Sequence, residues 1–356
     1  MSVVSRALGR IYGAGVAWRN RGYEQNRRRL YRLAAPVVSV GNLSLGGSGK
    51  TPAVITLASA WRTRGLQVDV LSRGYGRAAS DLVVLAFPDD TSTRQAGDEP
   101  RLIARRAAVP VVVHADRWYA GHAAEARFHS QLHLLDDGFQ HRRLARQADV
   151  VLVHPHDLSD GLLPFGRMRE PLAALARATA VLYLPDEKDA DPVDEPEKIL
   201  RRYTSAPLFT ARKIPVAIRR FGAAAGLDDR LPVSPVPDFP VMAFCALARP
   251  DSFWQMLDHM GWKLAVRQSF RDHHRYRAGE LRQLFLQGLY HQVKAWITTE
   301  KDMLNLPAGI VLPQMLVVEM GLEISGLEAL LDHLEAACGI SHPFPRPLDH
   351  APEART

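Results

Sequence analysis

The chain has 356 residues, of which 47% are apolar and 23% charged, and its formal net charge is +7. This is the composition of a folded protein long enough for two domains, and the positive excess suggests anionic partners such as phosphates, nucleic acid or acidic lipid without choosing among them. Cys245 and Cys338 are the only cysteines and no run of 18 apolar residues occurs, so neither a disulfide framework nor a membrane-spanning helix is predicted, and Arg6 and Arg10 interrupt any signal-peptide pattern.

The first predicted element is a basic amphipathic helix within residues 1–30. Residues 1–35 carry eight arginines, at positions 6, 10, 19, 21, 27, 28, 29 and 32, against a single acid, Glu24. The apolar residues that share one helical face are Val4, Leu8, Ile11, Tyr12 and Trp18. An apolar face beside cations suits a helix lying in an anionic membrane surface, so membrane association is one prediction. The alternative is a helix docked on its own domain with a solvated basic face.

Seven apolar, β-branched runs follow, with helical stretches between many of them. They span residues 36–41, 67–72, 82–87, 109–114, 132–136, 149–154 and 180–184. This alternation predicts a mostly parallel sheet covered by helices, and therefore an α/β domain over residues 31–205.

A connector and a second α/β set complete the chain. Residues 206–238 are mixed and contain prolines, which predicts a linker. A second, smaller α/β domain is predicted over residues 239–340, with strands at 240–247, 263–270, 295–299 and 315–320 and helices from 251, at 277–290 and at 327–338. The Pro-rich tail, residues 341–356, is expected to be disordered.

The stretch SVGNLSLGGSGKTP, residues 39–52, ends like a phosphate-binding loop. The usual pattern is G-x-x-x-x-G-K-[ST], and Ser44 stands at its first position, which is tolerable if that residue needs no positive φ. The loop lies between a strand-like and a helix-like run, where backbone N–H groups and a helix N-terminus hold phosphate. Lys50 would reach the β- and γ-phosphates and Thr51 would bind Mg²⁺. The residues predicted to bind ATP are Ser44, Leu45, Gly46, Gly47, Ser48, Gly49, Lys50 and Thr51; the alternative is a structural Gly-rich turn.

Two acidic pairs are candidates for chemistry. LHLLDDGFQH places Asp136 and Asp137 just after an apolar strand, where P-loop proteins keep an acid for Mg²⁺ or its waters. Their alternative reading is a helix cap or turn, because Asp137 precedes a glycine. AGDEP places Asp98 and Glu99 in a loop-like setting, and such a pair is more commonly a solvated turn.

Arginine and histidine motifs complete the inventory of polar candidates. The possible phosphate-binding side chains are Arg73, Tyr75 and Arg77 in SRGYGR, and Arg167 and Arg169 in GRMREP. Arginine can hold phosphate through two parallel hydrogen bonds, although most arginines are simply solvated. DHHRY contains His273 and His274, whose spacing to the other cysteines and histidines does not match a zinc site.

Together these motifs give the chain a resemblance to the tetraacyldisaccharide 4'-kinase family, the lipid A 4'-kinases of Gram-negative bacteria. The matching segments, in the family's order, are VSVGNLSLGGSGKTP, SRGYGR, GDEP, LDDGFQHRRLARQADVVLV, GLLPFGRMREP, DHHRY and TTEKDMLNL. The segment CALARPDSF, residues 245–253, departs from the Gly-rich loop that the family often has at this position.

The resemblance implies a fold and an activity. The expected fold is a P-loop NTPase-like α/β/α domain and a second α/β/α domain, joined by a short β linker, with the active site in the cleft between them. The expected reaction transfers the γ-phosphoryl of ATP, with Mg²⁺, to the 4'-hydroxyl of a tetraacylated glucosamine disaccharide 1-phosphate, giving lipid IVA in lipid A biosynthesis. The N-terminal helix would associate peripherally with the cytoplasmic face of the inner membrane, and no nucleic-acid partner is expected.

The resemblance also assigns roles to residues. Asp98 is the expected base, His273 orients it, and Lys50 acts on the transferred phosphoryl group. Thr51 together with Asp136 or Asp137 is expected to serve Mg²⁺. The residues that the resemblance assigns to substrate binding are Arg73, Gln140, His141, Arg169 and Glu170. Tyr75 of SRGYGR is expected to bind substrate with them.

Two other classes of function stay open at this point. A P-loop GTPase or ATPase that drives metal insertion or partition would need a guanine-reading N-K-x-D or metal-ligand Cys/His pairs, and the sequence has neither. A nucleotide-gated binding module without catalysis would differ from a kinase only in showing no turnover with a lipid acceptor.

Overall fold

The fold is known from a computed structural model. It describes residues 3–25, 27–46, 49–74, 77, 81–86, 93–185, 194–221, 228–234, 236, 238–247, 250–272, 274–307 and 314–341. For residues 3–7, 10, 93, 94, 194 and 228–230 the description covers the backbone alone. The tail predicted to be disordered therefore lies outside the described residues, except for Ser341.

Helices and strands alternate along most of the chain. The α-helices are α1 (Val3–Glu24), α2 (Lys50–Thr63), α3 (Thr93–Ala96), α4 (Asp98–Ala107), α5 (Arg117–Phe128), α6 (Asp194–Leu200), α7 (Pro250–His259), α8 (Ala278–Tyr290), α9 (Glu300–Leu304) and α10 (Leu327–Cys338). The strands are β1 (Val37–Asn42), β2 (Val68–Ser72), β3 (Val83–Leu85), β4 (Val111–Val113), β5 (Leu132–Asp136), β6 (Ala148–Val153), β7 (Ala180–Tyr183), β8 (Leu208–Phe221), β9 (Asp228–Leu231), β10 (Val241–Cys245), β11 (Leu264–Ser269), β12 (Ala295–Thr299) and β13 (Met315–Ile324). Two 3₁₀ helices span Pro155–Leu158 and Leu172–Arg177.

The strands form one sheet in the order β11-β10-β12-β13-β8-β7-β6-β1-β5-β2-β4-β3, with β9 paired to β8. Pairing is parallel except between β3 and β4 and where β8 meets β13 and β9. Every residue of β1, β5 and β6 is buried, as expected of parallel strands covered on both faces. The predicted α/β class with a mostly parallel sheet is confirmed.

Strand β8 joins two parts of the sheet. Its first residues, 208–210, pair with β7, and residues 211–221 pair antiparallel with β13. We call β1–β7 with their helices the N-terminal half, and β10–β13 with α7–α9 the C-terminal half. The predicted linker, residues 206–238, thus contains the strand that connects the halves; the predicted domain boundaries themselves stay a prediction.

Helix α10 packs on the N-terminal half although it lies at the end of the C-terminal sequence. Its buried leucines join the core cluster built on β1 and α2. Trp61 of α2 donates its indole N–H to Glu335 at 3.0 Å, and Arg64 pairs with the same carboxylate at 2.7 Å. Helix α10, which follows β13 of the C-terminal half, is therefore a second connection between the two halves, in addition to β8.

Helix α1 is docked on the body of the protein by one face. The Asn20 side-chain amide donates to the buried carboxylate of Glu170 at 2.8 Å, and the Tyr12 hydroxyl donates to the backbone oxygen of Arg169 at 3.2 Å. At Gly13 a Cβ would lie 2.9 Å from the Cδ1 atom of Leu162, so the helix approaches this side chain closely. Another face stays exposed: Leu8, Ile11 and Trp18 are 42%, 68% and 73% exposed. The predicted docking of this helix on its own domain is therefore observed, whereas membrane association stays a prediction, and the side chains of Val4, Arg6 and Arg10 lie outside the description.

Candidate active site

The predicted phosphate loop connects β1 to α2, as its sequence context indicates. Gly49 precedes α2 with φ 81°, a left-handed conformation that favours glycine, and its missing side chain leaves room for Lys213 of β8. Ser44 is buried and is not among the described residues with positive φ, so serine is tolerated at this position as expected. The Leu45 N–H donates to the Arg167 carbonyl at 2.8 Å, which fixes one side of the loop. Gly47 and Ser48 lie outside the described residues.

Lys50 and Arg169 meet at the mouth of this loop. The Lys50 Nζ lies 3.1 Å from Asn42 Oδ1 and 3.5 Å from Asp137 Oδ1. The Arg169 guanidinium holds both carboxylate oxygens of Asp137, at 2.9 and 3.1 Å, and also contacts Asn42. Burial alone would raise the pKa of Asp137, but Arg169 and Lys50 lower it to about 2. Two cations are thus gathered around Asp137 at the mouth of the loop.

Asp136 is the more secluded member of the acidic pair. It ends β5, is 5% exposed, and accepts a hydrogen bond from the Ser72 hydroxyl at 3.0 Å. Burial, with help from the charges of Glu99 and Asp137, raises its pKa to about 7. A nearby cation would stabilise the ionised form of a carboxylate in this setting. Its positive charge would offset the cost of burying the negative charge and the repulsion from the neighbouring acids.

The donor set suits Mg²⁺ chemically. Thr51 lies in the first turn of α2, and its hydroxyl with the carboxylates of Asp136 and Asp137 would supply the oxygen ligands that Mg²⁺ prefers. Within the described ranges, no three or more His, Cys, Asp or Glu side chains converge into a ready metal cage. Mg²⁺ in kinases is usually held by one or two carboxylates together with phosphate oxygens.

Asp98 begins helix α4, and the charge of its neighbour Glu99 acts on Asp136. The Asp98 side chain is 8% exposed, and its Oδ1 accepts the N–H of Glu99 at 3.0 Å. Glu99 in turn pairs with Lys301 of the C-terminal half at 2.6 Å. The GDEP motif therefore lies where the two halves of the protein meet. His273, its expected partner, lies outside the described residues, so the predicted Asp98–His273 pair stays a prediction.

The residues expected to bind substrate fall into two groups. Arg73 follows β2 and is exposed, whereas the side chain of Gln140 donates to the Asn42 carbonyl at 2.8 Å and that of His141 is mostly buried. Burial, with the charge of Arg117, lowers the pKa of His141 to about 4, so that imidazole is neutral at pH 7. Glu170 is fully buried against Asn20 and Arg177 and fixes α1 rather than facing solvent. Tyr75 lies outside the described residues.

Three basic residues near the site were not predicted from the sequence. Arg117 begins α5 behind the N-cap Asp116, is 5% exposed, and has a buried Nε without a hydrogen-bond partner among the described atoms. Burial and the charge of Arg73 lower its pKa to about 10, which leaves it charged at pH 7. Lys213 of β8 lies beside Gly49, and Lys301 beside Glu99. Only Lys301 had a sequence signal, its place in the TTEKDMLNL motif.

A strand, a glycine loop and a helix that begins with Lys-Thr, with an acidic pair after a neighbouring parallel strand, define a P-loop nucleotide-binding protein. The sequence model of the family described as "Tetraacyldisaccharide-1-P 4'-kinase" matches residues 1–338. The chain therefore belongs to the tetraacyldisaccharide-1-P 4'-kinase family.

Individual relatives agree with this assignment. Tetraacyldisaccharide 4'-kinase of Koribacter versatilis is 38% identical over 336 residues, which cover 92% of this chain and 96% of the relative. The protein of the same name from Anaeromyxobacter sp. strain K is 35% identical, with 96% and 92% covered. The structure of LpxK from Aquifex aeolicus in complex with ATP superposes with a TM-score of 0.75 at 28% identity, covering 93% of this chain and 97% of that one.

Of the helices that the structure describes, none combines the length and the apolar character that crossing a bilayer requires.

Proposed function

We propose that this chain is the kinase that transfers the γ-phosphoryl of ATP to the 4'-hydroxyl of a tetraacylated glucosamine disaccharide 1-phosphate. The observation that carries the proposal is the cluster of Lys50, Arg169 and Asp137 at the start of α2, in a chain whose family match extends over residues 1–338. Relatives named for this activity cover almost the whole chain.

The phosphate loop would hold ATP by its backbone N–H groups and by Lys50. Phosphoryl transfer depends on positioning and on neutralising the phosphoryl oxygens, and cations aimed at that group act most strongly as charge develops. Arg169 and Lys50 both pair with Asp137, so their cationic groups lie beside the loop that would hold the phosphates, where they could pair with phosphate oxygens. Thr51 and Asp136 or Asp137 would hold Mg²⁺, which when bound neutralises phosphate oxygens.

Asp98 is the proposed base. A sugar hydroxyl is a weak nucleophile at neutral pH, and a carboxylate can accept its proton as the new O–P bond forms. The Asp98 carboxylate is buried at the junction of the two halves, and both Asp98 and Asp272, a residue between β11 and α8, act on the charge of Lys301. We propose that His273 orients this carboxylate, and that Arg73, Tyr75, Gln140 and His141 lie along the acceptor's path.

Helix α1 is the proposed membrane contact. Its docked face is held by Tyr12 and Asn20, while Ile11 and Trp18 expose apolar surface and Arg21 and residues 27–29 expose cations. An apolar strip with flanking arginines suits the boundary between anionic headgroups and acyl chains. The enzyme would thus sit peripherally on the cytoplasmic face of the inner membrane, where an acylated acceptor is presented.

One experiment separates this function from its two competitors. The full-length protein is incubated with γ-labelled ATP and Mg²⁺, with and without the disaccharide 1-phosphate in mixed micelles. A kinase transfers the label to the lipid, a hydrolase releases it as inorganic phosphate, and a binding module binds nucleotide without turnover. Label that stays in ATP or appears only as inorganic phosphate would overturn the proposal.

A further inference from the structure

Helix α9 of the C-terminal half lies against helix α4, which begins with Asp98. The contact at the site is an ion pair between Lys301 Nζ and Glu99 Oε1, 2.6 Å long, with both side chains about one-quarter to one-third exposed. Burial opposes the charge on Lys301, but the carboxylates of Glu99, Asp98 and Asp272 raise its pKa to about 12. The ammonium group is therefore charged and lies among acids that belong to both halves.

The other side of α9 contacts Tyr276, which follows the Asp-His motif in sequence. Asp302 is 1% exposed and accepts hydrogen bonds from the Tyr276 hydroxyl at 2.7 Å and from the Ala246 N–H at 2.9 Å. The Tyr276 N–H also donates to the Asn305 carbonyl at 3.2 Å. The end of the loop from Asp272 to Tyr276 is thus fixed to α9, and α9 is fixed to Glu99.

We propose that Lys301 is a positioning residue for phosphoryl transfer, acting through Glu99 to hold Asp272 and residues 274–276 in place relative to Asp98. This inference rests on the proposed function, because it assumes that Asp98 is the base. Misplacement of a reacting group by about 1 Å can lower a rate on the order of 10²-fold. Lys301 would therefore affect turnover while leaving the binding of ATP, which depends on the loop before α2, nearly unchanged.

A second ion-pair contact between α9 and α4 provides a matched control for the general attachment of these two helices. Glu300, the neighbour of Lys301, pairs with Arg106 and, at 3.4 Å, with Arg105 near the end of α4. Those arginines lie roughly 10 Å along the helix axis from Glu99. Loss of the Glu300 pairs should weaken the attachment of α9 near the far end of α4 while leaving the Lys301–Glu99 contact next to Asp98 in place.

The test compares Lys301→Met, Lys301→Arg and Glu300→Gln in the full-length protein, by steady-state transfer to the disaccharide 1-phosphate. Methionine keeps most of the side-chain volume, so Lys301→Met should fold, which the melting temperature would verify. We expect it to lower kcat by about 10- to 100-fold with the KM for ATP within about threefold. Lys301→Arg should recover most of kcat because it keeps the cation, and Glu300→Gln should stay within about threefold of wild type.

A double variant tests whether Lys301 acts through Glu99. If it does, Glu99→Gln with Lys301→Met should be little worse than the more damaging single variant, and multiplied losses would refute the coupling. Turnover of Lys301→Met within about threefold of wild type, or an equal loss in Glu300→Gln, would overturn the inference. A wild-type protein that transfers no phosphoryl group would instead refute the proposed function, so the two failures are distinguishable.

Discussion

Replacing Lys50 by alanine tests the phosphate loop most sharply. Lys50 contacts Asn42 and Asp137, and Arg169 contacts the same two residues. Asp137 would therefore keep a paired cation, and the loss of a partly exposed ion pair should reduce the free energy of unfolding by at most about 1 kcal/mol. The transition state, in contrast, would lose a cation when charge on the phosphoryl group is greatest. We expect turnover to fall by roughly 10²-fold or more, equivalent to about 2.7 kcal/mol of activation free energy.

The assay for this prediction measures kcat for transfer to the lipid acceptor together with the melting temperature. Lys198→Ala is the control, because Lys198 is an exposed lysine on α6, in the same half of the protein. The melting temperature of Lys50→Ala should fall by no more than about 2 °C. Activity within about threefold of wild type would refute the role of Lys50, and a large loss of thermal stability would show that the lysine is mainly structural.

Three further predictions concern the base, the membrane helix and a buried histidine. Asp98→Asn, which keeps an oxygen for the Glu99 N–H, should lower kcat by about 10²- to 10⁴-fold, and adding His273→Ala should cost little more if the two act as a unit; multiplied losses would argue against a pair. Ile11→Ser with Trp18→Ser keeps the contacts that dock α1 and should weaken binding to anionic vesicles at least about tenfold; equal sedimentation of both proteins would mean that α1 is only part of the fold. Burial opposes the charge of His133, but hydrogen bonds and charges from Asp69 and Glu125 raise its pKa in the folded protein. The protonated imidazole therefore stabilises the fold below about pH 6.5, and this stabilisation is lost as pH rises through the raised folded pKa. His133→Asn should therefore reduce the free energy of unfolding more at about pH 6 than at about pH 9, and equal losses would contradict this.

The sheet was largely predictable because its strands are buried on both faces. Each of the seven runs predicted before residue 185 begins and ends within two residues of a strand. The four strands predicted in the C-terminal half each begin within two residues of an observed strand. The residue pattern did not predict strand β8, since its 14 residues include Pro215 and basic residues at 212, 213, 219 and 220; only the resemblance implied a β linker here. It forms because β13 pairs with it along most of its length, and such long-range pairing leaves no local signal.

The phosphate loop was predictable from spacing, whereas the junction of the two halves was not. Lys50 and Thr51 follow from a local motif that always places a strand before and a helix after it. Arg117 and Lys213 approach the same site from distant elements, and single arginines or lysines in sequence are usually solvated. The buried position of Glu170 likewise depends on the docking of α1, which supplies its partner Asn20.

The most direct test of the central claim is the position at which the lipid is phosphorylated. The full-length protein is given ATP, Mg²⁺ and either the disaccharide 1-phosphate or its 4'-deoxy analogue, and the lipid products are analysed by mass spectrometry alongside ADP. The account predicts that the parent acceptor gains one phosphate for each ADP formed, and that the analogue gains none. Formation of ADP without lipid phosphorylation, or phosphorylation of the 4'-deoxy analogue, would contradict it.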